Sequence, residues 1–255
     1  MKNRRLSGIL FAFFLMMTSA AQSFAGTVEI LSFEYPPLIT ENGTGIMERI
    51  VTEAARTVDD TVTFLVYPRK RAMIMFENTE ARLFLGESRY FPDMSSGIDV
   101  QKLLYARVVL VYLKERNPSL AFSGIEDLKG KQAGVSLGSN LTFVFEKAGI
   151  YVQETGKVEN NIKKLNAGRI DIWGTVDVTA ITLIEQHFPK QGDKFVIWEF
   201  ERFPVELVAK KNTPAEKMLQ KFRTGFDNIV SSGKYKMILE EFYGKDQVPL
   251  SVMVK

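Results

Sequence analysis

Short apolar runs alternate with stretches in which apolar residues recur at helical spacing, and this alternation predicts the elements from Val28 onward. Val28, Ile30 and Leu31 open a strand that must end near Glu34, because Pro36 and Pro37 cannot donate to a sheet ladder. Ile46, Met47, Ile50, Val51 and Ala54 then fall on one helical face. The β-rich run Thr61–Tyr67 stops at Pro68, Arg69–Asn78 reads as a helix, and Arg82–Gly86 is a short buried strand. Leu103–Leu113 is a long apolar strand that runs out into Lys114–Pro118, a crossing point between two parts of the chain.

A second series follows. Ser123 and Glu126 have the spacing of a capping box over a short helix ending at Gly130. Gln132–Ser136 and Tyr151–Thr155 read as strands, with a helix between them that closes at Gly149. Glu159–Ala167 is helical up to Gly168. Arg169–Trp173 is a strand, and Gly174–Asp177 turns into a helix ending near His187. Lys194–Trp198 and Pro204–Lys210 are expected as separate strands. Thr213-Pro-Ala-Glu216, a capping box with proline at its first turn, starts a long helix, Gly233 breaks it, and Lys234–Tyr243 is the last. Strands alternating with helices throughout predict an α/β fold of mostly parallel sheets flanked by helices. The expected division is one lobe from 26–113 and 203–255, with a second lobe, 114–202, inserted.

Composition changes the picture at one end. Lys2, Arg4 and Arg5 precede an apolar run to Met17, and Ser23-Phe24-Ala25 has the small residues of a cleavage site. Residues 1–25 therefore read as a signal peptide, too short in its apolar part for a span of roughly 20 residues. Removing 25 of the 255 residues leaves 230. It also removes three of the 33 basic residues, leaving 30 against 30 acidic, so no electrostatic case for nucleic acid remains. The chain has no cysteine, which excludes thiolate chemistry, thiolate metal sites and a lipid-anchoring cysteine. Its single histidine, His187, reads as a helix C-terminal cation rather than a general base. No metal or cofactor is expected.

The candidate chemistry lies where strands end. Phe33-Glu34-Tyr35 follows the first strand, and Glu87-Ser88-Arg89-Tyr90 follows the third. The carboxyl edge of an α/β sheet is where such sheets bind ligands. Tyr35 also admits a plainer reading, packing against its own two prolines.

With these residues placed, the chain resembles the extracytoplasmic solute-binding proteins of family 3, the polar amino-acid-binding group that serves ABC transporters. The resemblance rests on Tyr35-Pro36-Pro37-Leu38 followed by Gly45 and Glu48, on Arg71-Ala72, and on Glu126–Lys131 before Gly134-Val135. It continues through Gly138-Ser139, Lys164–Asp171, and Gly233-Lys234-Tyr235 with Phe242-Tyr243-Gly244. It implies a two-lobed type II periplasmic binding protein fold, with a ligand cleft that closes by hinge motion, a use of hinges that belongs to this class generally.

The resemblance also assigns roles. Tyr35 matches the stacking aromatic, and Ser88 the loop that holds a carboxylate. Ser139 and Asn140 match the start of a lobe-two helix, and Asp177 the acid that receives an ammonium. Two departures stand out: Met94 occupies the place of the family's carboxylate-binding arginine, with Arg89 the nearest replacement, and Asp177 comes one residue late, with Val176 at the family's acid position. Trp173 either faces the cleft or packs in the core. The expected binding set is Phe33, Glu34, Tyr35, Ser88, Arg89, Ser139, Asn140, Trp173 and Asp177. Glu34 further suggests a ligand more cationic than the family norm. The implied function is capture of a small polar, amino-acid-like solute in the periplasm by a non-enzymatic monomer that works with an ABC permease. The alternatives are an enzyme on the same scaffold, such as a cyclic-acid dehydratase, or a ligand sensor for a membrane receptor.

Overall fold

The structure, a computed structural model, describes residues 27–116 and 124–254. The leader expected over 1–25 and the capping residue Ser123 lie outside the described residues. The strands are β1 (Thr27–Ser32), β2 (Thr61–Val66), β3 (Leu83–Gly86), β4 (Ile98–Leu113), β5 (Gln132–Ser136), β6 (Tyr151–Thr155), β7 (Ile172–Val176) and β8 (Phe195–Lys210). The α-helices are α1 (Ile46–Arg56), α2 (Arg69–Glu77), α3 (Leu141–Lys147), α4 (Glu159–Asn166), α5 (Asp177–His187), α6 (Pro214–Ser231) and α7 (Lys234–Tyr243). The strands are linked in the order β2-β1-β3-β8-β4-β7-β5-β6.

The outer strands on each side are parallel: β1 with β2 and β3, and β5 with β6 and β7. Between them lies an antiparallel centre. β4 and β8 pair from Ile98↔Lys210 to Leu113↔Phe195, with irregularities at Lys102/Leu104 and Val108/Val109. β3 joins β8 at Glu206–Val208, whereas β7 joins β4 at Val108–Val111. The two long strands thus run from one half of the sheet into the other, and the expected boundary at Leu113 falls at the far end of a strand that both halves use.

This shared pair explains three differences from the sequence reading. β8 is one continuous strand through Glu199–Phe203, because β4 supplies a partner along its whole length. β4 begins at Ile98 rather than Leu103 for the same reason. β7 lies at Ile172–Val176, not Arg169–Trp173, since Gly174 and Thr175 take ladder positions opposite Leu110 and Val109. The capping box expected at Thr213 is shifted too: Glu216 accepts from the Asn212 N–H (2.8 Å), while the Thr213 hydroxyl donates to the Lys210 carbonyl (2.7 Å).

One face of the first half is covered by α1, α6 and α7, which bury Ile46, Ile50, Leu219, Phe226, Tyr235 and Ile238. On the other face Phe76, Phe84 and Phe91 form a ring cluster with centroids 4.8–5.6 Å apart, and Phe33 sits 6.2 Å from Phe84. The approach of α6 to α1 depends on Gly225, where an added Cβ would lie 2.2 Å from the Ala54 carbonyl oxygen. Backbone cannot yield as a side-chain tip can, so Gly225→Ala forces the helices apart. We expect a loss of about 2 kcal/mol, read by thermal unfolding as a Tm lower by roughly 4–8 °C. A fall of less than about 1 °C would show that the helix pair has slack.

Candidate functional site

Parallel strands place all their carboxyl ends on one edge, and both halves of this sheet turn that edge toward the same cleft. From the first half come Phe33, Glu34 and Tyr35 after β1, Arg69 after β2, and Glu87, Arg89 and Tyr90 after β3. From the second come Leu137, Ser139 and Asn140 after β5, and Lys157 and Glu159 after β6. Thr175 near the end of β7, Thr179 on α5, and Glu201, Phe203 and Val205 on β8 close the floor. The cleft has a volume of about 1210 Å³, larger than the roughly 300–1,000 Å³ of ordinary small-molecule sites. Among the described residues, hydrogen bonds join its walls where Arg69 Nη1 donates to the Gly138 carbonyl (3.2 Å) and the Thr179 hydroxyl donates to the Pro36 carbonyl (2.8 Å).

Tyr35 is set by local backbone. The Tyr35 and Ile39 N–H groups each donate to the other's carbonyl (2.9 Å both), closing a loop over Pro36 and Pro37. Burial pushes the Tyr35 phenol up to about 12, so it enters the cleft as a neutral ring with a hydroxyl.

The charges beside it are unequally committed. Arg89 pairs with Glu87 and with Glu201 (3.1 Å), and its guanidinium lies 4.8 Å from the centroid of the Phe203 ring. Burial works against the Arg89 charge, but the two carboxylates outweigh it and raise its pKa. Glu87 is raised above the ordinary carboxylate value by burial, against the hydrogen bond from the Tyr90 hydroxyl and the pull of Arg89. Arg69 is different. It lies 4.7 Å from the Phe33 ring centre and 5.7 Å from that of Tyr90, and it pairs with no carboxylate among the described residues.

Of the nine expected residues the cleft gathers six: Phe33, Glu34, Tyr35, Arg89, Ser139 and Asn140. The helix start at Ser139 and Asn140 is less open to an anion than expected, because the Ser139 hydroxyl already accepts from the Leu141 N–H (3.2 Å). Ser88 does not line the cleft; its N–H donates to the buried Glu206 carboxylate (2.9 Å). Trp173 is fully buried, packed with Val109, Val111, Ile162 and Leu183. Its indole N–H has no partner among the described residues, a cost of about 1–3 kcal/mol. Burying the ring outweighs that, at roughly 4–6 kcal/mol.

Asp177 is the other correction. It is 1% exposed and faces the crossing strands rather than the cleft. Arg107 Nη1 donates to its Oδ2 (3.2 Å), and the Tyr243 hydroxyl donates to its Oδ1 (3.1 Å). Arg107 is held in turn by Glu199 (2.7 Å). An acid already bonded to a guanidinium and a phenol is not available to a ligand's ammonium. Val176, where the sequence resemblance would put an acid, is core.

The sequence reading did not place Arg69, Lys157, Glu159, Thr175, Thr179, Glu201 or Phe203 in the site. The first three follow the ends of parallel strands, the same signal that singled out Tyr35.

No protein-family model matches the chain, and no curated protein does. Solved structures do. An ancestral arginine-binding protein bound to arginine superposes with a TM-score of 0.66 at 21% identity, over 86% of this chain and 99% of that one. The GluR0 ligand-binding core in complex with L-glutamate gives 0.68 at 17% identity, over 86% and 99%. A histidine kinase sensor domain with similarity to periplasmic binding proteins gives 0.66 at 17% identity, over 89% and 97%. With parallel strands on both flanks, two long crossing strands between them and a cleft where the carboxyl edges meet, this chain has the type II periplasmic binding protein fold.

Proposed function

We propose that the protein is an extracytoplasmic solute-binding protein that captures a small, polar, amino-acid-like molecule in its cleft and delivers it to an ABC-type importer. The observation that carries this is the cleft itself: aromatic rings, cations and acids from both halves converge on one volume, with β4 and β8 as the crossing strands about which those halves could hinge. The division into lobes and the export of the chain through its basic, apolar leader belong to the same proposal. Similar folds include proteins described as bound to arginine, glutamine or L-glutamate. Glu34 and Glu159 line the cleft with no partner among the described residues, which suits a ligand carrying an ammonium. A binding role is supported over catalysis in that Glu87 and Glu201 are tied to Arg89, and Asp177, outside the cleft lining, to Arg107 and Tyr243. A sensory role is the second reading, supported by the similarity to a kinase sensor domain.

Thermal unfolding of residues 26–255 with each common amino acid, followed by calorimetry, tests the proposal. A true ligand at a hundredfold excess over its Kd adds about 2.7 kcal/mol. That is a rise of roughly 5–11 °C for a chain of this length. If no amino acid moves the Tm or produces heat, the binding reading is wrong.

A further inference from the structure

We infer that Arg69, rather than Arg89, receives the anionic group of the ligand, and that this group is a planar oxyanion such as a carboxylate. The inference rests on the cleft being a small-solute site and goes further by assigning its anion receptor. Three basic side chains line the cleft: Arg69, Arg89 and Lys157. Arg89 carries two carboxylates, Glu87 and Glu201, so its charge is spent within the protein. Lys157 is exposed, and no contact among the described residues fixes its ammonium. Arg69 alone is both free of acid partners and held in place. Its guanidinium stands over the Phe33 and Tyr90 rings, at 4.7 and 5.7 Å from their centroids, an arrangement that fixes the charge without neutralising it.

Geometry gives the anion class. A guanidinium carries five N–H donors in a plane, and here one hydrogen bond is formed, to the Gly138 carbonyl across the cleft (3.2 Å). The remaining edge suits two parallel oxygen acceptors, the bidentate arrangement of a carboxylate. Glu87 is within electrostatic range of Arg69 but is bonded to Arg89 and to the Tyr90 hydroxyl instead. It helps to stack Tyr90 beside the guanidinium while leaving the donor edge free. Because Arg69 also touches Gly138, an anion bound there contacts the cation at the point where the two walls meet.

The test takes whichever amino acid binds best to residues 26–255 and compares it with its own α-carboxamide, which has the same shape but no charge on that group. For the wild type the amide binds weaker by about tenfold or more. Arg69→Met lowers affinity for the acid by about tenfold and leaves affinity for the amide within about twofold, so the two affinities converge. Arg69→Lys, which keeps the charge but not the fork, is intermediate and serves if the Met variant does not fold. If Arg69→Met leaves the acid's affinity intact, or lowers acid and amide equally, Arg69 is not the receptor while the binding reading stands. If the wild type binds neither acids nor amides, that reading fails and takes this inference with it.

Discussion

Replacing Asp177 by alanine is expected to cost about 3 kcal/mol of folding stability while leaving ligand affinity within about threefold. The side chain is 1% exposed, and its two oxygens accept from Arg107 and Tyr243, 70 and 66 residues away in sequence. Removing it strands a guanidinium and a phenol that were oriented toward it. Breaking a buried pair from one side costs roughly 3–5 kcal/mol. The lower figure applies here for two reasons. Arg107 keeps Glu199 as a second partner, and burial raises the Asp177 pKa, so part of the pair's attraction is already offset by desolvation. A loss of about 3 kcal/mol lowers the Tm by roughly 6–12 °C. The pair of measurements separates two roles. A large fall in Tm with intact affinity makes Asp177 a tie between α5, α7 and the crossing strands. A tenfold loss of affinity with an unchanged Tm would return it to the ligand site.

The contrast between Asp177 and Tyr35 shows which parts of this protein were legible in its sequence. Tyr35 was found by local logic: a strand, an abrupt double proline, and an aromatic residue left at the edge. The same logic, applied to Pro68-Arg69 after β2 and to Gly156-Lys157 after β6, leads to further cleft residues. Asp177 was not accessible in this way, and Trp173 was readable only as either cleft or core. Their orientation depends on how β7 registers against β4, with Val176 opposite Val108 and Trp173 opposite Val111, and register is a long-range property. Arg89 lines the cleft, as local position suggests, but its pairing depends on Glu201, 112 residues away. The alternation of elements was readable because each element carries its own period. The merging of two expected strands into β8 was not, because only the length of its partner β4 makes it continuous.

A second large effect is expected at Glu48, through pH. Glu48 is fully buried on α1; its Oε1 accepts from the Thr40 N–H (2.8 Å), and its Oε2 has no partner among the described residues. Burial pushes its pKa from 4.5 up to about 7, against the backbone hydrogen bonds that favour the carboxylate. The sign follows from linkage. Between those two pH values the folded chain holds a proton that the unfolded chain has released, so stability falls as pH rises through the window. From this group alone the fall is about 2–3 kcal/mol between pH 4.5 and pH 7, levelling off above about pH 8. Glu48→Gln keeps the acceptor for Thr40 and removes the titration. Its amide would replace Oε2 in a space shared with the Leu38 carbonyl, where a Cβ on Gly45 would lie 2.3 Å from the one oxygen and 2.6 Å from the other. That crowding also explains why position 45 has no side chain. The Gln variant should therefore match the wild type near pH 4.5 and exceed it by about 3 kcal/mol at pH 8 in urea denaturation. Parallel stability curves for the two proteins across that range would mean that Glu48 ionises as an ordinary carboxyl group. The effect reaches the cleft because Thr40 follows directly on the Tyr35–Ile39 loop: the carboxyl group that titrates is the one bracing the segment that presents Tyr35.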